Sequence, residues 1–143
     1  MDFVEQTYKL PIENFDFVEE KKINRHGNLL PDNIRAVFSG PSNCGKTNSL
    51  FTLLTHPNGV RFKNVYVYSK SLYQLKYKLL EKLLEPIEGI QYFPFGQHDQ
   101  VVSPETALPN SITIFDNIAT EKQDNVRAFF CMERHKNIDS FYL

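Results

Sequence analysis

Eight consecutive residues, Gly40-Pro41-Ser42-Asn43-Cys44-Gly45-Lys46-Thr47, set two glycines, a lysine and a hydroxyl at the spacing G-x-x-x-x-G-K-T. A loop holds a polyphosphate when its backbone N–H groups turn inward and no side chain blocks the approach, and Gly40 and Gly45 meet that need. Lys46 is then expected to reach the β and γ phosphates of a nucleoside triphosphate, and the Thr47 hydroxyl to ligate Mg²⁺. The positive end of the helix that follows adds to the attraction. Pro41, Ser42, Asn43 and Cys44 contribute backbone, and at Cys44 smallness is the only property required.

This chemistry needs an acidic residue for the magnesium, at the end of a hydrophobic strand beside the strand that feeds the loop. Asp116, after Ile112-Thr113-Ile114-Phe115, fits. The interval between the two leaves room for residues 65–68 and 90–93, so at least one further strand is expected between them, as in the RecA-like branch of P-loop proteins. Asn117 follows the aspartate. An amide holds a water by hydrogen bonding but cannot accept its proton as a carboxylate does, so nucleotide binding is expected to survive while hydrolysis is impaired. Glu121 and Asp124 stand nearby, where acids at a helix start ordinarily complement its dipole.

The elements that must position these groups are legible in outline. Ile34-Arg35-Ala36-Val37-Phe38 reads as a buried strand, and Leu50, Phe51, Leu53 and Leu54 suit a helix from Lys46 that stops before Pro57-Asn58-Gly59. Val65-Tyr66-Val67-Tyr68 predicts a second strand. A helix is expected over about residues 71–85, where Leu72, Leu75, Leu79, Leu80, Leu83 and Leu84 repeat at helical spacing. Residues 90–93 and 112–115 predict strands around a loop with Pro104 and Pro109. Thr120 and Gln123 suggest a capping box for a helix over about 121–134, before a last strand at 138–143. The alternation implies an α/β fold with a mainly parallel sheet and helices on both faces. Residues 1–30 are polar with short apolar pieces and predict an extended arm before a core at 31–143.

The chain has 143 residues, 41% hydrophobic and 23% charged, which suits one folded domain and excludes low-complexity disorder. Its opening residues lack the order of a secretory signal, and no apolar run nears the ~20 residues of a membrane span. A soluble, intracellular protein is expected, with Cys44 and Cys131 as free thiols. The formal net charge is −1, but residues 61–82 carry net +5 and residues 85–118 net −5. His26, His56, His98 and His135 have no metal-ligand spacing with the cysteines, so no structural metal is expected.

Several runs together resemble a known family. They are Arg25-His26-Gly27-Asn28-Leu29-Leu30-Pro31, the loop 40–47, Val65-Tyr66-Val67-Tyr68-Ser69-Lys70, Ile114-Phe115-Asp116-Asn117, and Cys131-Met132-Glu133-Arg134-His135-Lys136-Asn137. The resemblance, from about Arg25 onward, is to the genome-packaging ATPases of Polinton/Maverick elements and adintoviruses, of the FtsK/HerA type and related to poxvirus packaging ATPases. It implies a ring of subunits that hydrolyse ATP to thread double-stranded DNA into a capsid, in the nucleus, the cytoplasm or a viral assembly site, with capsid proteins as partners. Lys46, Thr47 and Asp116 match its nucleotide motifs. Asn117 departs from a usual second acid, and Glu133 from a usual glycine. The family places a polar sensor and further elements past Leu143, so the core is expected to be incomplete at its C-terminal side.

In such a ring Arg134, and less so Arg127, are candidates to stabilise γ-phosphate charge on a neighbouring subunit. The basic block at 61–82, interleaved with Phe62, Tyr66, Tyr68, Tyr73 and Tyr77, could contact DNA phosphates, although tyrosines at strand spacing ordinarily pack. Two other functions compete. A small nucleotide kinase needs a lid of arginines, and Arg25, Arg35, Arg61, Arg127 and Arg134 form no obvious one. A non-catalytic remnant would use its nucleotide only to support a fold that contacts other proteins.

Overall fold

The computed structural model describes residues 24–96, 99–118, 123–131 and 136–143. Strands and helices alternate as β1 (Arg35–Val37), α1 (Lys46–Thr55), β2 (Asn64–Ser69), α2 (Leu75–Leu84), β3 (Gln91–Phe95), β4 (Ser111–Asp116), α3 (Asp124–Cys131) and β5 (Ile138–Tyr142). All pairings are parallel, in the order β1-β5-β4-β2-β3. The α/β architecture with a parallel sheet is therefore present.

Its strand order corrects one expectation. The strand carrying Asp116 is not beside β1, and neither residues 65–68 nor 90–93 separate them. The intervening strand is β5, which pairs Ser140 with Arg35 on one side and with Thr113 on the other. The chain steps outward from β1 to β2 and β3, then returns through β4 to β5. This reversal of winding places helices on opposite faces when each crossover keeps the usual hand.

Side-chain alternation along the strands supplies both faces. Val65, Val67, Ile112, Ile114 and Phe141 pack with Leu50 and Leu54 of α1 and with Tyr77, Leu80 and Leu84 of α2. Tyr66, Tyr68 and Phe115 pack on the other side with Val126 and Phe129 of α3. All six positions of β2 and of β4 are buried, which is why their sequences read as near-continuous apolar runs. Tyr66 and Tyr68 are thus packing residues, stacked on Phe93 at 4.8 Å and Phe95 at 4.7 Å. Their hydroxyls still find partners, accepting from the N–H of Leu108 at 3.2 Å and of Val102 at 2.9 Å, and so fasten the loop before β4 to the sheet. Burial pushes the Tyr68 hydroxyl up to about 12.

Helix α2 departs from its predicted extent, and its regularly spaced leucines do not all lie on its buried face. Residues 71–73 form a turn in which Gln74 N–H donates to the Ser71 carbonyl at 3.0 Å, and the helix starts only after the extended Gln74. Leu80 and Leu84 are buried with Tyr77, but Leu75, Leu79 and Leu83 are 83%, 54% and 44% exposed. The leucines ring the helix, so their spacing alone did not pick out the buried face. Of the capping box expected before α3, Thr120 lies outside the described residues; the Gln123 amide donates to the Ile118 carbonyl at 2.7 Å.

Of the expected arm, residues 1–23 lie outside the described residues, and residues 24–34 close the end of the sheet where the strands begin. Arg25 Nη2 stands 3.0 Å from Asp139 Oδ2, and Ile34 N–H donates to Asp139 Oδ1 at 2.8 Å. His26 is fully buried between them: its Nδ1 accepts from Arg61 N–H at 3.0 Å, and its Nε2 lies 3.0 Å from Asp139 Oδ2. An accepting Nδ1 leaves the ring proton on Nε2, toward the carboxylate. No helix among the described residues is long and apolar enough to cross a membrane.

Candidate functional site

Parallel strands bring the ends that follow them to one edge of the sheet, and the residues singled out by type gather there. Phe38 N–H donates to the Tyr142 carbonyl at 2.7 Å, extending the β1 to β5 pairing to the start of the loop 40–47. Two residues in the loop take left-handed backbone angles, Asn43 at φ 62° and Gly45 at φ 93°. Gly45 is the residue that suits this geometry best and is also the N-cap of α1. Gly40 answers a different need, since a Cβ there would stand 2.7 Å from Cys44 Sγ, which folds over it. Cys44 and Cys131 are free and exposed.

No side chain caps the first turn of α1 and no acid stands in it, so the partial positive charge of the helix end is left uncompensated beside the loop. Lys46 folds back over its own loop, its Nζ donating to the carbonyls of Gly40 at 2.7 Å and Pro41 at 3.5 Å. A cleft of about 480 Å³ opens here, lined by residues 42–48 together with Ser71, Gln74, Lys76, Asp116, Asn117 and Leu143.

Asp116 ends β4 in register with Ser69 of β2, and this pairing aims the start of α2 over the carboxylate. Lys76 Nζ lies 3.2 Å from Asp116 Oδ2 and donates to Thr47 Oγ1 at 3.1 Å. The Tyr77 hydroxyl donates to the same Asp116 oxygen. Burial, then the hydrogen bond to Asp116 and its negative charge, push the Tyr77 hydroxyl far up, so it acts here only as a donor. Asn117 follows in the left-handed region at φ 56° and is exposed at the mouth of the cleft. Asparagine tolerates that conformation better than most side chains, which accounts for the residue type without assigning it a chemical role.

Ser42, Asn43, Cys44, Gly45, Lys46, Thr47, Asp116 and Asn117 are thus brought to one cleft, while Gly40 and Pro41 contribute the carbonyls that hold Lys46. Arg134 and Glu121 lie outside the described residues. Arg127 and Asp124 are exposed on α3 and do not line the cleft. Sequence reasoning missed Ser71 and Gln74, and it placed Lys76 and Tyr77 in a candidate DNA-contacting block instead of at this cleft. A signal was available: the first turn after any parallel strand lies at this same edge, and Lys76-Tyr77 opens the helix after β2.

The oxygens of Thr47 and Asp116 are hard donors that already converge on one cationic nitrogen, so this pair suits Mg²⁺, which typically takes one or two protein oxygens and completes its shell with water and phosphate. Among the described residues no three of His, Cys, Asp or Glu converge on one point. Set against protein-family models, curated proteins and solved structures, the chain matches none.

Proposed function

We propose that the chain binds ATP with Mg²⁺ in this cleft and is a RecA-like P-loop ATPase of the DNA-packaging type that its motifs resemble. The observation that carries the proposal is the convergence of Thr47 Oγ1 and Asp116 Oδ2 on a single cation position, beside a glycine-turned loop at an uncapped helix start. The separation of β1 from β4 by one strand supports the RecA-like assignment.

Each residue has a task in such a site. Lys46 exchanges the Gly40 and Pro41 carbonyls for phosphate oxygens, a stronger, charge-assisted pairing. The N–H groups of the loop and of the first turn of α1 bind the remaining phosphate oxygens. Thr47 and Asp116 would hold the magnesium, which would supply positive charge against the phosphates. Tyr77 fixes the rotamer of Asp116. Asn117, at the cleft mouth, has no carboxylate to accept a proton from an attacking water, so turnover is slow relative to binding.

Among the described arginines none lines the cleft, which favours this function over a nucleotide kinase with its arginine lid. The amide at Asn117 favours, as a second reading, a nucleotide-binding protein that does not hydrolyse. Phosphate release measured with and without duplex DNA, alongside the mass of the assembly in solution, separates the two. Turnover raised by duplex DNA in an oligomer supports the motor, and nucleotide binding by a monomer with no phosphate release supports the non-catalytic form.

A further inference from the structure

Lys76 occupies an unusual point for a surface lysine. It is the second residue of α2, yet its Nζ reaches across to a hydroxyl on α1 and a carboxylate on β4, 3.1 Å and 3.2 Å away, and lies 5.1 Å from the centroid of the Tyr77 ring. A lysine that merely tied α2 to the sheet would need only Asp116. The additional contact to Thr47 places the ammonium between the two oxygens that suit a magnesium ion.

We propose that Lys76 is the resident cation of the magnesium position: its ammonium and Mg²⁺ compete for Thr47 Oγ1 and Asp116 Oδ2, and Lys76 lets the cleft take a nucleotide without the metal. This rests on the nucleotide-binding function proposed above. Two cations cannot share one point between the same oxygens, so one leaves when the other arrives. Lys76 is able to leave, because its side chain is 31% exposed on a flexible four-carbon stem. Asp116 is only 11% exposed and stays held by the Tyr77 hydroxyl, so the carboxylate keeps its aim when the ammonium swings out. With no metal present, the ammonium offsets the Asp116 charge that would otherwise repel an incoming polyphosphate.

The test titrates a fluorescent ATP analogue against the full chain in EDTA and then in rising Mg²⁺, for wild type, Lys76→Gln and Lys76→Arg. The ammonium offsets one negative charge facing an incoming polyphosphate, so Lys76→Gln should weaken metal-free binding by about tenfold. In the same variant the Mg²⁺ concentration for half-saturation should fall several-fold, because its competitor is gone. Lys76→Arg should restore metal-free binding, and thermal melting of each variant verifies the fold. A loss of equal size with and without Mg²⁺ overturns the proposal and makes Lys76 an ordinary phosphate ligand. No change in either condition overturns it in favour of a surface ion pair. If wild type binds the analogue in neither condition, the nucleotide-binding function itself fails and the proposal with it, an outcome distinct from the other two.

Discussion

Single residues here carry two kinds of constraint, one chemical and one conformational, and the two look alike in a sequence. Under the proposed function Asn117 stands where an acid would serve hydrolysis, and its left-handed backbone supplies a sufficient reason for asparagine. Asp139 and His26, far apart in sequence, turn out to be one buried group at the opposite end of the sheet, with Arg25 as its cation. Burial holds His26 below the usual imidazole range and outweighs the opposing pull of Asp139, while Arg25 adds to the depression. An unfolded imidazole gains its proton near pH 6.5, whereas the folded one resists. The contribution of His26 to stability is therefore full above that pH and declines as the pH falls through and below it. Denaturant midpoints measured from pH 7.5 downward should show this decline in wild type. In His26→Gln, which has no imidazole to titrate, the decline across that window should flatten; an identical decline in both proteins would remove His26 as its source.

Elements were legible wherever period and punctuation agreed. The strands over 64–69, 91–95, 111–116 and 138–142 and the helix at 46–55 fall within a few residues of where apolar runs and turn residues put them. Helix α2 is the exception, because leucines at 75, 79 and 83 continue the same spacing as those at 80 and 84, and only tertiary packing distinguishes the two stripes. The two stripes differ in consequence. Leu80 is fully buried against the sheet, so Leu80→Ala should cost about 2–5 kcal/mol, whereas Leu79→Ala, more than half exposed, should cost well under about 1 kcal/mol. Equal losses in chemical denaturation would mean that the outward stripe is also covered.

Across the whole molecule, the order of strands decides which residues meet, and the order was not legible. Parallel strands need crossovers, so neighbours in the sheet are not neighbours in sequence, and nothing local to residues 138–142 announces that they insert between β1 and β4. That insertion sets the distance between the loop 40–47 and Asp116, and the β2 to β4 register brings α2, with Lys76 and Tyr77, over the cleft between them. The loop motif and Asp116 could be named from residue types; the α2 side chains that complete the site follow from topology alone. The central claim is that this cleft binds ATP with Mg²⁺, and calorimetric titration of the full chain with a slowly hydrolysed ATP analogue in Mg²⁺ tests it most directly. A single saturable site in wild type, weakened at least about tenfold in Lys46→Ala and in Asp116→Asn while both variants stay folded, is the predicted result. Absence of saturable binding in wild type, or equal affinity in all three proteins, would contradict it.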